Sequence, residues 1–470
     1  MRLDVVILAA GKGTRMNSDI PKVMHRIAGK PMVEHVVDCA SILKADAVHL
    51  VVGHGAEIIE QHFADYESAE GLSGDAIQFV CQEQQLGTGH AVQQAMPNIP
   101  ACDDEDRVLV LYGDVPLLSH ETLLELIEAS HGSALGVLTL FTQNPEGLGR
   151  IVRDADHKLQ AIVEEKDATE SQRGINEVNS GILVASSNRM KDWLSRLGNE
   201  NAQGEYYLTD IVAMAVADGM TVESITTGDE YEVQGVNDKL QLCVLERHYQ
   251  MIQAQGLLAT GVTVMDPTRV DIRGDLSYGK DLSLDINVLI EGKVVIGNGV
   301  TIGANCIVKD ATLGNGVTLL PGTIVDGAII GEHAVIGPYA RLRPGTVLEE
   351  SVKVGNFVET KKAHIGKGSK ANHLAYIGDA EVGSGVNIGA GTIFCNYDGA
   401  NKHLTTLGND VFVGSNSVLV APVELADGVF VAAGSVVNCN VPAANLAVAR
   451  TKQRNIAGWK RPTKTAVKKD

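Results

Sequence analysis

Ile296-Gly297-Asn298-Gly299-Val300-Thr301, followed at once by Ile302-Gly303-Ala304-Asn305-Cys306-Ile307, sets a six-residue rhythm that decides the fold of half the chain. The rhythm returns as IGPYAR from Ile336, VGSGVN from Val382, IGAGTI from Ile388, VGSNSV from Val413 and VAAGSV from Val431. An aliphatic residue leads each unit and points inward, a small one four positions later fits beside it, and glycine enters the turn. Three such units make one coil of a triangular parallel β-helix. Single-residue slips in phase occur, as between Val325 and Ile330. The stretch from 265 to 440 predicts on the order of ten coils. Packing by Val, Ile, Leu and Ala suits a chain with 4% aromatic residues. The repeat alone leaves the hand of the helix open.

Upstream of about Gly261 the rhythm is absent. Lys239 to Leu258 has helical, amphipathic spacing and predicts a connector. Before it, apolar runs alternate with helical patterns. Val5–Leu8, Val48–Val52 and Arg107–Tyr112 predict strands, and Glu121–Ala129 and Thr209–Ala217 predict helices. This is the layout of an α/β domain with a largely parallel sheet. At 470 residues two full cores are expected. Against 39 basic residues stand 58 acidic ones, a net charge of −19, which disfavours nucleic acid and anionic membranes as partners. No apolar stretch reaches the length of a membrane span, and the start has no signal-peptide layout. The seven cysteines lack a CxxC pair, so reduced cytoplasmic thiols are expected rather than structural zinc. The basic tail, Arg450 to Asp470, predicts a solvated end, with Arg450 a possible exception.

The first strand runs into Ala9-Ala10-Gly11-Lys12-Gly13-Thr14-Arg15-Met16, with Pro21-Lys22 beyond. Glycines permit a tight turn with exposed N–H groups, and Arg15 and Lys22 add fixed positive charge, a combination suited to a polyphosphate. The loop lacks the GK[ST] ending of a Walker motif and has Met16 where a dinucleotide fingerprint needs glycine. An ordinary strand-to-helix connection is the bland alternative. Asp114 follows the carboxyl end of an apolar strand, where ligands bind in open α/β sheets. It could cap the next helix, but beside a triphosphate it suits magnesium, which takes few protein carboxylates. Gln85 to His90 gives a second glycine turn with a hydroxyl, suited to a base edge.

In the repeat region Leu342 takes an inward slot, so Arg341 and Arg343 point outward. Lys361 and Lys362 come about one coil later, and such stacked basic clusters suit a phosphate. Counting from Ile365 places Ala371 and Ile377 inward, His373 on a turn and Tyr376 outward. Beside Arg343, Lys361, Tyr376 and Asn387, His373 suits a general base toward an amine. A β-helix that only scaffolds or oligomerises is the alternative on fold alone; a binding scaffold with a degenerate head is a third reading. Cys395 lies near this set, but direct amine attack requires no thiol nucleophile.

LAAGKGTRM, PKV, QLGTGHA, LYGDVPL, GLGRIV, VEEKDAT, EVNSGI and EYYLTD fall in the order found in sugar-1-phosphate nucleotidylyltransferases. With the repeats, nearly the whole chain resembles the bacterial bifunctional N-acetylglucosamine-1-phosphate uridylyltransferase/glucosamine-1-phosphate N-acetyltransferase family. The resemblance implies an α/β fold: an N-terminal Rossmann-like nucleotidylyltransferase domain (1–239), a helical linker (240–260) and a C-terminal left-handed parallel β-helix with its tail (261–470). It implies a cytoplasmic homotrimer that makes UDP-N-acetylglucosamine, a precursor of peptidoglycan and lipopolysaccharide. Glucosamine-1-phosphate would be acetylated from acetyl-CoA, and the N-acetylglucosamine-1-phosphate formed would be uridylylated from UTP with Mg2+. Leu8, Ala9, Gly11 and Lys22 would contact the nucleotide, with Gln82, Gly87 and Thr88 on the uracil side. Tyr112 would lie near sugar and metal; Gly149, Glu164 and Asn179 would meet the sugar. Asp114 and Asn237 would hold the metal, and Arg15 and Lys22 would act in catalysis. In the second half Arg343, Lys361, Tyr376 and Asn387 would bind the amino sugar and His373 would be the base. Ala390, Asn396, Tyr397, Ser415, Ala433 and Arg450 would contact acetyl-CoA, with an Ala390 N–H stabilising the oxyanion. The chain departs from the family pattern at Glu165, where another residue is common.

Overall fold

The computed structural model describes residues 2–68, 71–72, 74–100 and 105–464. Cys102 and the tail residues Lys468 and Lys469 lie outside them. The chain divides into two compact units, Met1–Gln253 and Ala254–Asp470.

The first unit is built on a nine-stranded sheet, β1 (Leu3–Leu8), β2 (Ala47–Val52), β3 (Ile77–Cys81), β4 (Arg107–Tyr112), β5 (Leu135–Phe141), β6 (Arg150–Arg153), β7 (Leu159–Val163), β8 (Glu177–Ser186) and β9 (Val222–Thr227). Their order is β9-β5-β8-β4-β1-β2-β3, with the β6–β7 hairpin paired to β8. Strands β4, β1, β2 and β3 are mutually parallel. The expectation of a largely parallel sheet holds there and for β9 beside β5, while β8 runs antiparallel to both neighbours. The buried apolar run of β8, Ile182–Ala185, reads the same in either direction, so composition could not reveal the reversal. Successive β1 side chains serve opposite faces. Val5 and Ile7 pack with helices α1 (Met32–Ile42), α2 (Ala56–Phe63) and α4 (His120–Ala129). Val6 packs with α3 (Thr88–Ala95), α6 (Ser187–Arg196) and α7 (Asp210–Ala217), whereas the single-turn α5 (Glu170–Arg173) buries no residue. Fully buried Trp193 anchors α6; truncating such a ring costs about 3–5 kcal/mol. The connector forms α8 (Lys239–Ala259), whose Leu245 joins a small core with Met16, Ile27 and Val236.

The second unit is a parallel β-helix. One face stacks eleven short strands from Thr263–Val264 to Leu446–Ala447. Partners on this face are mostly 17 or 18 residues apart, as in Ser283↔Thr301↔Thr318 and Lys353↔Lys370↔Asn387. Three hexapeptides per coil require that step. Ile296, Ile302, Ile336, Val382, Ile388, Val413 and Val431 are all buried in one continuous core. The longest step described on this face joins Asn387 to Phe412, because 396–403 leaves the coil as a loop.

Candidate functional sites

At the carboxyl ends of β1 and β4 the first unit holds a cavity of about 250 Å³. Leu8, Ala9, Gly11, Lys22, Gln82, Gly87, Thr88, Tyr112 and Asp114 all line it. Gly87 must be glycine: its φ is +113°, and a Cβ there would lie 2.6 Å from the Tyr206 carbonyl oxygen. That close approach lets the Tyr206 N–H reach the Leu86 carbonyl at 2.8 Å and fixes the turn ahead of α3.

Asp114 does not cap the following helix; Ser119 does, accepting from the Thr122 N–H. The Asp114 carboxylate instead accepts from the Lys22 ammonium in a half-buried ion pair. Asn237 Oδ1 accepts from Arg15 Nη2 at 2.8 Å and lies 3.4 Å from Lys22 Nζ. Four residues spread over 222 positions thus meet at one point. Two hard oxygen donors face a cation there, and the Asp114 carbonyl accepts from the Val236 N–H at 2.9 Å, tying the two segments together. This donor set fits magnesium, which needs few protein oxygens when phosphate and water complete its shell. Among the described residues no group of three His, Cys, Asp or Glu could hold a metal.

Gly149, Glu164 and Asn179 form an adjoining patch. The Asn179 N–H donates to the Gly149 carbonyl at 2.8 Å, and a Cβ on Gly149 would lie 3.6 Å from Glu164 Oε1. Burial raises the Glu164 carboxyl above its ordinary range, helped by Asp210, Asp167 and Glu205 and opposed by the Thr209 hydroxyl, which donates at 2.9 Å. Burial also raises the Tyr112 phenol, with the Glu164 and Asp114 carboxylates adding to the effect, so it stays neutral. The departure at Glu165 has a partner: its carboxylate accepts from buried Arg150 at 2.6 Å. Gln85 and Glu205 also line the cavity, and the Gln85 amide donates to the Ala10 carbonyl. Gln85 was visible inside the second glycine turn, and Glu205 and Thr209 lie within the EYYLTD motif, although nothing in the spacing gave either a place at the site.

In the second unit Leu342 is fully buried, and Arg343 and Lys361 stand outward on adjacent coils. Arg343 Nη1 donates to Glu359 Oε1 at 2.7 Å. The loop residue Lys402 completes a cationic cluster that the coil spacing could not reveal. Contact with Lys402, together with the charges of Arg343 and Lys362, holds Lys361 below the usual lysine range. Four cations, of which among the described residues only Arg343 has a carboxylate partner, make an anion site. Tyr376 pairs in register with Glu359, and its hydroxyl lies 3.4 Å from the amide nitrogen of buried Asn396, which also donates to Asp379. Tyr397 and Lys402 bridge the base of the loop. The Asn401 and Ala400 N–H groups and the His403 ring hold Asp398 far below the usual carboxylate range.

His373 departs from the turn expected of it: it is the last residue of the strand Lys370–His373. Asn356 stands in register one coil earlier and its Oδ1 lies 2.8 Å from His373 Nδ1, so the extended pairing continues through the histidine. Asn387 pairs with Lys370 on the next coil. From His373 a column descends one corner of the β-helix. The Gly391 N–H bonds the Leu374 carbonyl, the Asn416 N–H the Ala390 carbonyl and the Gly434 N–H the Ser415 carbonyl, all at 2.7–3.0 Å. Arg450 Nη1 donates to the Ala433 carbonyl at 2.8 Å. His373, Ala390, Ser415, Ala433 and Arg450 therefore share one edge.

A MobA-like NTP transferase domain model matches residues 5–174, a GMPPB C-terminal domain model 272–365 and a six-repeat bacterial transferase hexapeptide model 404–439. The hexapeptide match and the coil register describe a left-handed parallel β-helix. A Bifunctional protein GlmU of Pseudomonas putida is 54% identical over 99% of both chains. Those of Stutzerimonas stutzeri (99% of this chain, 100% of the relative) and Marinobacter nauticus (98% and 99%) are each 53% identical. The chain belongs to the GlmU family of bifunctional transferases, in which a uridylyltransferase and an acetyltransferase of UDP-N-acetylglucosamine biosynthesis share one polypeptide.

Proposed function

We propose that the first unit joins UTP to N-acetylglucosamine-1-phosphate with release of pyrophosphate, and that the second acetylates glucosamine-1-phosphate from acetyl-CoA. The observation that carries the first assignment is the meeting of Lys22, Arg15, Asp114 and Asn237 at the mouth of the glycine-lined cavity. In-line attack of a sugar phosphate on the α-phosphorus of UTP requires alignment and charge neutralisation but no covalent enzyme intermediate. Lys22 and Arg15 supply fixed positive charge toward the leaving pyrophosphate. Asp114 and Asn237 would hold Mg2+, which supplies further neutralisation of the polyphosphate when bound. Gln82, Gly87 and Thr88 would receive the uracil, and Gly149, Glu164 and Asn179 the sugar, whose hydroxyls suit the hydrogen-bonding groups of that patch.

For the second unit the corner column supports an extended thioester ligand. Four coil steps from His373 to Arg450 span about 19 Å at strand spacing, a fitting reach for a pantetheine arm with its phosphates at Arg450. Asn396 and Tyr397 would flank the acetyl end. Arg343, Lys361 and Lys402 would hold the sugar phosphate and Tyr376 and Asn387 its ring. His373, oriented by Asn356, would take the proton as the amine attacks the thioester carbonyl. The Ala390 N–H, unpartnered among the described residues, is available to the oxyanion.

A homotrimer would cover the ridge formed by Tyr339, Phe357 and Leu374. These are 60%, 59% and 58% exposed, successive coils at one left-handed corner, with the first two rings stacked at 5.8 Å. A cytoplasmic setting agrees with the six described cysteines, all unpaired. No described helix is long and apolar enough to cross a membrane.

Two variants test the assignment. His373→Ala should abolish acetyl transfer to glucosamine-1-phosphate and spare UDP-sugar formation, while Asp114→Ala should do the reverse. A full acetylation rate in His373→Ala would remove the general base, and wild-type protein that never consumed acetyl-CoA would leave the β-helix a scaffold.

A further inference from the structure

Two segments carry the oxygen donors Asp114 and Asn237: 114–119, which follows β4, and 232–237, which precedes α8. They run in opposite directions and are tied at both ends. At one end the Val236 N–H donates to the Asp114 carbonyl at 2.9 Å. At the other the Ser119 N–H donates to Glu232 Oε1 at 3.1 Å. Between the ties Val115, Leu118 and Val233 are buried in one core. A Cβ on Gly235 would lie 3.6 Å from Asp114 Oδ2, so the second segment passes close to the first donor.

Glu232 is 8% exposed, and its carboxylate takes three neutral donors. Besides the Ser119 N–H, the Ser119 hydroxyl donates to Oε1 at 2.6 Å and the Thr227 hydroxyl to Oε2 at 2.5 Å. Thr227 closes β9, and Ser119 caps α4. One carboxylate therefore joins the sheet, a helix cap and the segment that leads to Asn237. Hydrogen bonds to a carboxylate are roughly twice as strong as neutral ones, so the junction resists displacement. At the far end of the segment the Asn237 N–H donates to Gln241 Oε1 at 2.7 Å, on the first turn of α8. Ser119, Thr227 and Glu232 do not line the catalytic cavity.

We propose that Glu232 is a positioning residue of the uridylyl site: its grip on Ser119 and Thr227 sets the separation of Asp114 and Asn237, and through it the fit of a divalent cation. The inference rests on the reading of those two residues as metal donors. Magnesium demands near-ideal octahedral geometry and tolerates little change in donor spacing. The base end of the cavity does not depend on Glu232, because the turn ahead of α3 is held separately by the Tyr206 N–H on the Leu86 carbonyl.

Equilibrium dialysis of UTP against the full chain, without sugar phosphate so that no turnover occurs, reads this fit. One arm contains Mg2+ and the other EDTA, and the ratio of the two affinities is the gain that the metal contributes. Wild type should show a gain that Asp114→Ala abolishes. A missing gain, or one that survives Asp114→Ala, would remove the metal reading and the proposal with it. Glu232→Ala should weaken UTP binding about tenfold in Mg2+ and leave it within about twofold in EDTA. Glu232→Gln keeps an acceptor for both Ser119 donors, and its amide can donate to the Thr227 hydroxyl. It should therefore stay within about threefold of wild type in both arms. Ser119→Ala removes one of the same bonds and should reduce the gain about threefold; it supplies the test should Glu232→Ala fail to fold, and an intact gain there would overturn the proposal. The proposal also falls if Glu232→Ala keeps the wild-type gain, if its affinity drops equally in both arms, or if Glu232→Gln loses as much as alanine.

Discussion

Gly378→Ala offers a sharp test of the acetyl-transfer site because it alters no group assigned to chemistry. Gly378 lies in the strand Tyr376–Val382 and pairs in register with Lys361, and its backbone is open to alanine. A Cβ there would stand 2.7 Å from Tyr376 Cζ, closer still to its hydroxyl, and 2.9 Å from Asn396 Nδ2. Ordinary contact begins near 3.4 Å, so the phenol must retreat by about 0.7 Å at Cζ and toward 1 Å at its tip. Both obstructing groups are ends of side chains, so the coil can keep its register; a loss of stability near 1 kcal/mol is expected, as for modest overpacking. Misplacement of about 1 Å can cost on the order of a hundredfold in rate. Acetyl transfer, followed by release of the coenzyme thiol, should fall by about tenfold to a hundredfold. Uridylyl transfer by the same sample should be unchanged and serves as the internal control. In a Tyr376→Phe background, part of the steric penalty is already relieved, so the two effects should be less than additive. Acetyl transfer within twofold of wild type would refute the placement of Tyr376 against the sugar and of Asn396 against the acetyl end; loss of both activities with early melting would refute the claim that the coil absorbs the methyl.

Gly181→Ala should act in the opposite direction: its φ is +89° and its Cβ would lie 2.7 Å from Tyr112 Cε2, so uridylyl transfer should fall at least tenfold while acetyl transfer persists, measured by pyrophosphate release. Glu164→Gln should stabilise the first unit and impair UDP-sugar formation. Because the folded carboxyl is raised, its stabilising contribution is complete below the unfolded pKa and is lost as pH rises through the folded one; the variant's melting temperature should therefore decline less than wild type's from acid toward neutral pH. Lys402→Ala should raise KM for the sugar phosphate and return Lys361 toward its ordinary pKa, read from the pH dependence of its reaction with an amine-selective reagent. An unchanged Lys361 profile would remove Lys402 from the cluster.

The β-helix was legible because its constraint is local and repeated. Each inward residue meets the same residue of the next coil, so Ile296, Ile302 and Ile388 reveal one core without any long-range information. The polyphosphate loop was legible for a related reason: Gly11, Arg15 and Lys22 lie within one turn of the chain. Asn237 is different. It reaches Lys22 and Arg15 from 215 and 222 residues away, and only the resemblance placed it there. Antiparallel β8 escaped because its buried run, Ile182–Ala185, reports burial and not direction. His373 was put on a turn because phase counting treats every coil alike, whereas Asn356 extends the pairing on that coil by one side chain.

The loop at 396–403 shows how a regular lattice can acquire chemistry without losing its register. Asn387 and Phe412 are 25 residues apart where their neighbours are 17 or 18, yet they pair in parallel as every other coil does. The extra residues leave and return at nearly the same point, since the His403 N–H donates to the Asn396 carbonyl at 2.8 Å. Below the loop, Ala390 and Ser415 therefore remain on one corner despite the insertion. Above it, Lys402 comes to rest beside Lys361, a position that no residue confined to the coil's own period could occupy. Glu359 offsets only one charge of this cluster, and the remaining like charges oppose folding unless a further anion joins them, so the insertion stores repulsion at the place where the sugar phosphate is proposed to bind. The regular core bears that cost because Leu342, Ile377 and Phe394, buried directly beneath, hold adjacent coils together whether or not the site is filled.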